Sequence, residues 1–369
     1  MAVGLVDSGA DVRVVTPSTA AAGVPARERW QGVDIHRHAY PGVAWPATRL
    51  TGGDGMWQRL RARPARAIVA PGLIAAMASA LRSALRERSA DVVIGHWLLP
   101  TAVALRTALL ASGGPKPRAL YVGHGSDVHL LRRLPGARVL LRALEATGTV
   151  CSTSPYLTDQ LRLAGGRRIA WTPLGVAPPA VGPEASRRQP RVGGSLVLGV
   201  LGRLVPGKGV ERALAVVAAL PKASLLIAGD GGGRAEIEAT IHSRALSARC
   251  LGPVVGADKE SFFAEIDLLL YLADPRPPGA FQDNLPVGVV EALMRGIPVV
   301  ATAVGELPSL LARGGGIVVP PNAAAIAGRI ASLGQADWVA LATEAVEAVA
   351  HHKMAAALDR LAAASRGAA

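Results

Sequence analysis

Asp283 and Glu291 stand eight positions apart in QDNLPVGVVEALMRGIPVVATAVGELP, residues 282 to 308. The Pro, the Gly and the short apolar run between them read as a loop entering a helix, and IPVVAT beyond it as a buried strand. Carboxylates accept hydrogen bonds, and sugars offer pairs of neighbouring hydroxyls. The loop acid can hold one sugar. The second acid, expected in the first turn of the helix where the dipole favours its ionised form, can hold another. The plainer reading is a helix-terminal acid beside a solvated loop acid.

Two acids repel a phosphate, so an anion between such sugars needs other partners. GRLVPGKG, residues 202 to 209, supplies them: a strand precedes it, a helix follows, and Arg203 and Lys208 flank the turn. Together with unpaired N–H groups at a helix start, including those near Val287 and Gly288, this makes an anion cradle. The spacing is neither that of a Walker loop nor GxGxxG. A glycine-rich turn with solvated cations is the alternative. In GHGSDVHLL, residues 123 to 131, Ser126 or Asp127 can simply cap the next helix. His96 in GHWLLP reads as structural, and His351 and His352 lie near no acid or cysteine spacing that suggests a metal.

The elements that must position these residues alternate. From residue 196, VLGVLG, SLLIAGDG, IDLLLYLA and IPVVAT read as strands. VERALAVVAAL, RAEIEATIHSRAL, VVEALMR, ELPSLLA and AAAIAGRIASL read as helices, which predicts a doubly wound parallel sheet. In the first half DVRVVT, VDIHRH, DVVIGH, RALYVGH, GTVCST and RRIAWT read as strands, with IAAMASALRSALRER helical. The Pro-, Gly- and Arg-rich stretch at 176–195 has linker composition. The expected organisation is therefore α/β: an N-terminal domain at 1–175, the linker, a second domain at 196–345, and a C-terminal helix at 346–369 that packs back on the first domain. Two doubly wound, Rossmann-like domains face a cleft, with ligands at the carboxyl ends of the strands.

Composition narrows the class. Half of the 369 residues are hydrophobic but only 4% are aromatic, which suits helices packed on parallel strands and argues against disorder. Two cysteines, Cys151 and Cys250, cannot frame a disulfide fold and read as free thiols of a reduced compartment. No leader opens the chain, and no uncharged apolar run reaches the roughly 18 residues of a membrane span. The expectation is a cytoplasmic protein. Its net charge of +13 reflects arginine enrichment or attraction to anions. RLRARPAR (59–66) and LLRRLPGAR (130–138) mix arginine with apolar residues, which fits peripheral contact with an anionic membrane. Without an aromatic stacking platform they do not fit nucleic acid.

Taken together, GRLVPGKG, IAGDG, DNLPVGVVEALMRGIPVVAT, VGELP and GGGIVVPP, in that order, resemble the retaining GT-B glycosyltransferases of family four, the glycosyl transferases group 1. The resemblance covers roughly residues 90 to 335. It implies transfer of a sugar from a nucleotide diphosphate-sugar to a hydroxyl of a glycan or lipid-linked acceptor, with retention, no metal and no further cofactor. By the same resemblance Gly202, Arg203 and Lys208 meet the donor pyrophosphate, and Glu291 holds the ribose. Asp283 contacts the transferred sugar, assisted by backbone groups at Asn284, Leu285 and Val287. His124 faces that sugar from the first domain. The resemblance further implies a front-face route, in which the leaving phosphate takes the acceptor proton. An epimerase of the same fold, or a non-catalytic nucleotide-sugar binder, is the alternative.

The family usually has Glu where Asp283 stands, and Leu174, Ala177 and Ser309 also depart from its pattern. MAVGLVDSGADVRVVTP corresponds to the end of the family's first helix and its second strand. The expectation is that the natural protein starts upstream of Met1, because loss of a central first strand leaves two buried edges unpaired.

Overall fold

The computed structural model describes residues 1–18, 24–41, 50, 56, 59–60, 63–179, 195–275 and 283–367. The chain divides into two units, Met1–Gly175 with Ala357–Ala369, and Val176–Ala356. Most of the predicted linker lies outside the described residues. Val176, at its start, bridges to Lys353 within the second unit. The helix Met354–Ser365 sends Leu361 and Ala364 into the core of the first unit, against Leu120, Val122, Cys151 and Ala170.

In the first unit the strands form two sheets. β1 (Arg13–Pro17), β2 (Arg27–Trp30) and β3 (Val33–His38) pair in the order β1-β3-β2. β4 (Val92–His96), β5 (Arg118–Gly123), β6 (Thr149–Ser152) and β7 (Ile169–Trp171) run parallel in sequence order. β2 was not legible as a strand, because RERW is charged and mostly exposed. It forms because Gln31 and Gly32 both take positive φ, 47° and 79°, in a two-residue hairpin turn onto β3. β1 and β4 each pair on one side only among the described residues. β1 is half-buried throughout, and β4 buries only Gly95. Met1, Leu5 and, from β4, Val92 and Ile94 all pack against the buried cluster of Leu120, Val122, Cys151 and Ala170.

The helix Ala70–Glu87 buries Leu73, Ala78 and Ala84. Within Pro64–Glu87 the chain is long and apolar enough to cross a bilayer by length and composition, although Arg66, Arg82 and Arg86 divide it into shorter uncharged runs. Cys151 is buried in β6 and pushed up to about 12 by desolvation, an inert thiol.

The second unit is one six-stranded parallel sheet. β8 (Leu196–Leu201), β9 (Ala223–Ala228), β10 (Ala248–Gly252), β11 (Leu268–Tyr271), β12 (Val299–Thr302) and β13 (Gly316–Val319) stand in the order β10-β9-β8-β11-β12-β13. The chain winds outward from β8 to β10, then returns to the other side of β8 with β11. That reversal creates a switch point between β8 and β11, where the loops leaving the two strands diverge and open a crevice. Alternation divides β11 between two cores. Leu268 and Leu270 join Leu214 and Val217 of the helix Val210–Ala218. Leu269 and Tyr271 join Val289 and Val290 of the helix Val287–Met294.

At the switch point the turn after β8 is pressed against the end of β11. Gly209, at φ +79°, leaves no space for a side chain: a Cβ there would lie 1.8 Å from the Leu272 carbonyl oxygen. Gly209→Ala is therefore expected to lose at least about 2 kcal/mol of stability, from left-handed strain plus the clash. Gly232→Ala, with nothing within 4 Å and no positive φ, is the control expected to change little. Chemical denaturation of both variants measures the difference.

Candidate functional site

The residues singled out in the second half of the sequence converge on the carboxyl ends of β8 and β11. GRLVPGKG leaves β8 as a turn laced to its neighbours by backbone bonds. Leu204 N–H donates to the Asp230 carbonyl at 2.9 Å, Gly233 N–H to the Leu204 carbonyl at 2.9 Å, and Asp274 N–H to the Gly207 carbonyl at 3.0 Å. Gly202 and Arg203 are exposed on it, and Lys208 is half-buried.

Lys208 Nζ donates to Asp283 Oδ1 at 2.5 Å, with both side chains partly shielded. The Tyr271 phenol donates to Asp283 Oδ2. Burial first, then the Asp283 charge and this hydrogen bond, hold the Tyr271 hydroxyl well above its ordinary range, with Arg203 opposing from nearby. The phenol is thus a fixed donor at any physiological pH. A carboxylate offers about four acceptor positions. Asp283 therefore keeps room to accept from a sugar hydroxyl while Tyr271 and Lys208 fix its plane.

The loop behind Asp283 is clamped by the VGELP turn. Glu306 N–H donates to the Asn284 carbonyl at 3.0 Å. Gly305 is at φ +54°, and a Cβ there would lie 2.1 Å from that same carbonyl oxygen. Asn284 and Leu285 are buried under this contact, whereas Ser309 is exposed on the following helix.

Glu291 requires a correction. The helix runs Val287–Met294 with Pro286 as its N-cap and holds no acid in its first turn, so Glu291 is its fifth residue. The dipole effect fades beyond the first turn. A cation meets its charge instead: Lys259 Nζ donates to Glu291 Oε1 at 2.6 Å. The next residue, Glu260, receives the buried Arg295 guanidinium, which also bonds the Glu291 carbonyl at 2.8 Å and lies over the Phe263 ring. These contacts tie the helix Ala257–Glu265 to the helix carrying Glu291. Val287 and Gly288 do occupy the first turn, where helix geometry leaves N–H groups without intrahelical partners.

In the first unit, His124 follows β5 and His96 ends β4. Their rings meet, His96 Nδ1 to His124 Nε2, at 2.8 Å. Asp127 is buried rather than solvated, and it holds the Val128 N–H of its own helix as well as backbone beyond it. Buried in the helix Ser126–Leu131, it turns back and accepts from the N–H groups of His124 at 3.0 Å, Gly125 at 2.9 Å and, on its other oxygen, Leu98 at 2.7 Å. Burial nonetheless pushes its carboxyl upward, against the pull of these N–H groups. Desolvation pushes His124 down to about 4, and desolvation plus the neighbouring His124 does the same to His96. His96 keeps an open outer face, so the firmer shift is that of half-buried His124.

Sequence reasoning thus missed Tyr271, Lys259 and the bracing role of Asp127. The signal for Tyr271 was available: a phenol at the carboxyl end of an otherwise aliphatic buried strand needs a polar partner. Lys259 carried none, since its partner lies 32 positions away. Among the described residues no group of His, Cys, Asp and Glu is arranged to hold a metal.

Comparison with known proteins follows the same outline. Residues 183–347 match the family described as Glycosyl transferases group 1. A GDP-mannose-dependent monoacylated alpha-(1-6)-phosphatidylinositol monomannoside mannosyltransferase of Corynebacterium glutamicum is 27% identical over 256 residues, 66% of each chain, so the chain spans just under two thirds of that relative. Sucrose-phosphate synthase from Thermosynechococcus elongatus superposes with a TM-score of 0.72 at 18% identity, over 99% of this chain and 91% of that one. The Anabaena protein Alr3699/HepE in complex with UDP gives 0.64 at 18% identity, over 97% and 100%.

Two outcomes are expected in the first unit. Asp127→Asn places an amide donor against a backbone N–H group and should cost about 1–3 kcal/mol, read by urea denaturation. Both histidines are held below 6.5, so the stability their neutral rings confer is complete above pH 6.5 and drains as pH falls towards about 4. Urea midpoints at pH 7.5, 6 and 5 should fall, and less steeply in His96→Gln/His124→Gln.

Proposed function

Because residues 183–347 match the glycosyl transferases group 1 and the chain has the GT-B fold, we propose that the protein transfers a sugar from a nucleotide diphosphate-sugar to a hydroxyl acceptor, with retention at the anomeric carbon. The observation that carries the proposal is the cluster at the switch point of the second unit. Two carboxylates, each already oriented by a lysine, flank a basic glycine-rich turn and a helix start. In this reading Arg203, Lys208 and the N–H groups of Val287 and Gly288 stabilise the diphosphate as negative charge builds on it. Glu291 accepts from the ribose hydroxyls through its free oxygen, and Asp283 accepts from the transferred sugar. His124, neutral at pH 7, hydrogen-bonds that sugar.

A carboxylate tied to an ammonium and a phenol is a poor nucleophile, which supports a front-face route over a glycosyl-enzyme intermediate. Bond cleavage then delivers the sugar to the acceptor oxygen on the same face, and the departing phosphate takes the acceptor's proton. Metal is not needed in this scheme, since the turn and the helix start supply the positive charge.

The relative's dependence on GDP-mannose makes GDP the first base to test, with UDP, bound by the Anabaena neighbour, as the second. A lipid-linked acceptor at the inner membrane face is part of the proposal. It is supported by Ile68, Leu134 and Val139, apolar side chains left exposed among the arginines of the first unit.

Thermal-shift titration with GDP, UDP, ADP and TDP should stabilise the wild type with one of them, and Glu291→Ala should abolish that shift. No shift with any nucleotide overturns the donor-site reading. Tyr271→Phe should weaken binding of the sugar-nucleotide about three- to tenfold by calorimetry, the worth of one lost hydrogen bond to a charged group. Binding of the bare nucleotide should hardly change. Equal losses for both ligands would mean that Tyr271 acts on the whole fold rather than on Asp283.

A further inference from the structure

On the first unit, a pocket of about 180 Å³ opens between the end of the helix Ala70–Glu87 and the loop that leads into β5. Arg82, Arg86 and Lys116 line it, with Leu85 as apolar wall and no carboxylate side chain among the lining residues. Its position sets it apart from the histidines. Ser89 and Ala90 lie just ahead of β4 and Pro117 just ahead of β5, whereas His96 and His124 lie at or beyond the other ends of those strands. A strand of five residues separates the two edges by about 17 Å.

The three cations are unusual in having nothing to hold. Among the described residues none of them makes a hydrogen bond or an ion pair, and Arg82 Nε is buried without an acceptor. A buried charged donor left unpaired costs more than a pairing partner would return elsewhere on the surface. The nearby acid Glu87 is engaged by Arg13 and Arg27, and Asp11 by Arg88, so neither neutralises the pocket. The carboxyl ends of two helices, Ala70–Glu87 and Val103–Leu110, adjoin it. Each contributes only about half a negative charge against three full positive ones. Pro115 and Pro117 hold the backbone on either side of Lys116, which limits how far that ammonium can swing away. One water needs about 10–15 Å³ of such space, so the pocket has room for a tetrahedral anion with its first waters.

We propose that this pocket binds a phosphate group, its oxygens shared by the Arg82 and Arg86 guanidiniums and the Lys116 ammonium. Planar guanidiniums and an ammonium match phosphate oxygens with charge-assisted hydrogen bonds. The phosphate comes either from solution or from a phospholipid headgroup. The pocket's lining shares no residue with the donor-site reading: Arg203, Lys208, Asp283 and Glu291 belong to the second unit, and His124 lies at the opposite ends of β4 and β5.

The test is calorimetric titration of the full chain with inorganic phosphate at constant ionic strength, with chloride as the reference anion. Wild type should bind phosphate, and Arg82→Gln/Lys116→Gln should bind it at least about tenfold more weakly, as loss of charge-assisted bonds requires. Should that variant melt early in chloride, Arg86→Gln/Lys116→Gln alters only exposed side chains and answers the same question. Flotation with phosphatidylcholine vesicles, with and without phosphatidic acid, separates the sources. Binding only with phosphatidic acid, lost in the variant, assigns a headgroup; phosphate binding without vesicle binding assigns the free ion. No phosphate binding in wild type, or equal binding in both pocket variants, overturns the proposal.

Discussion

The backbone of Gly209 approaches the Leu272 carbonyl so closely that no methyl group fits between them. That contact joins the turn after β8 to the end of β11, the two strands between which the winding of the sheet reverses. Parallel strands deliver their loops to one edge, and the reversal makes those two loops part company there. Lys208 therefore arrives beside Asp283 although 75 residues separate them. With a larger residue at 209 the turn would have to lift, and Lys208 would lift with it.

The second organising principle is electrostatic. The acids of the site do not wait in solvent for a sugar; each is already held by a lysine, Asp283 by Lys208 and Glu291 by Lys259. Partly shielded pairs of this kind cost desolvation and return orientation. Tyr271 completes the arrangement by giving Asp283 a neutral donor whose proton burial keeps in place. The carboxylate one methylene shorter than the family's usual Glu is thus anchored from the floor of the sheet. Asp283 is a preset acceptor rather than a mobile chain, and preorganisation of that kind reduces what ligand binding must spend on ordering side chains.

In the first unit the same logic uses a buried acid to hold backbone. Asp127 gathers the N–H groups of Leu98, His124 and Gly125, joining the segments that follow β4 and β5. The ends of these neighbouring strands are set by one side chain, and His96 and His124 meet as a consequence. The described strands of this unit form a three- and a four-stranded sheet, and Met1 and Leu5 pack against the buried cluster to which β5 and β6 contribute Leu120, Val122 and Cys151.

The sequence by itself determined most of the local elements and the residues that gather at the switch point of the second unit. Apolar runs specified β8, β9, β11 and β12, because a strand buried on both faces must be continuously apolar, and glycines at the exits of β8 and β9 marked their sharp turns. Where those signals are absent, in RERW of β2, the strand was not legible, since pairing with a neighbour made it. The spacing of Asp283 and Glu291 announced a loop and a helix, but the helix start fell at Val287, leaving Glu291 beyond the first turn. Only the tertiary structure decided which cation each acid meets, that Tyr271 lies beneath Asp283, and that Asp127 faces backward. Those are contacts between elements, fixed by strand order and by how closely two backbones can approach. One-dimensional spacing carries neither quantity.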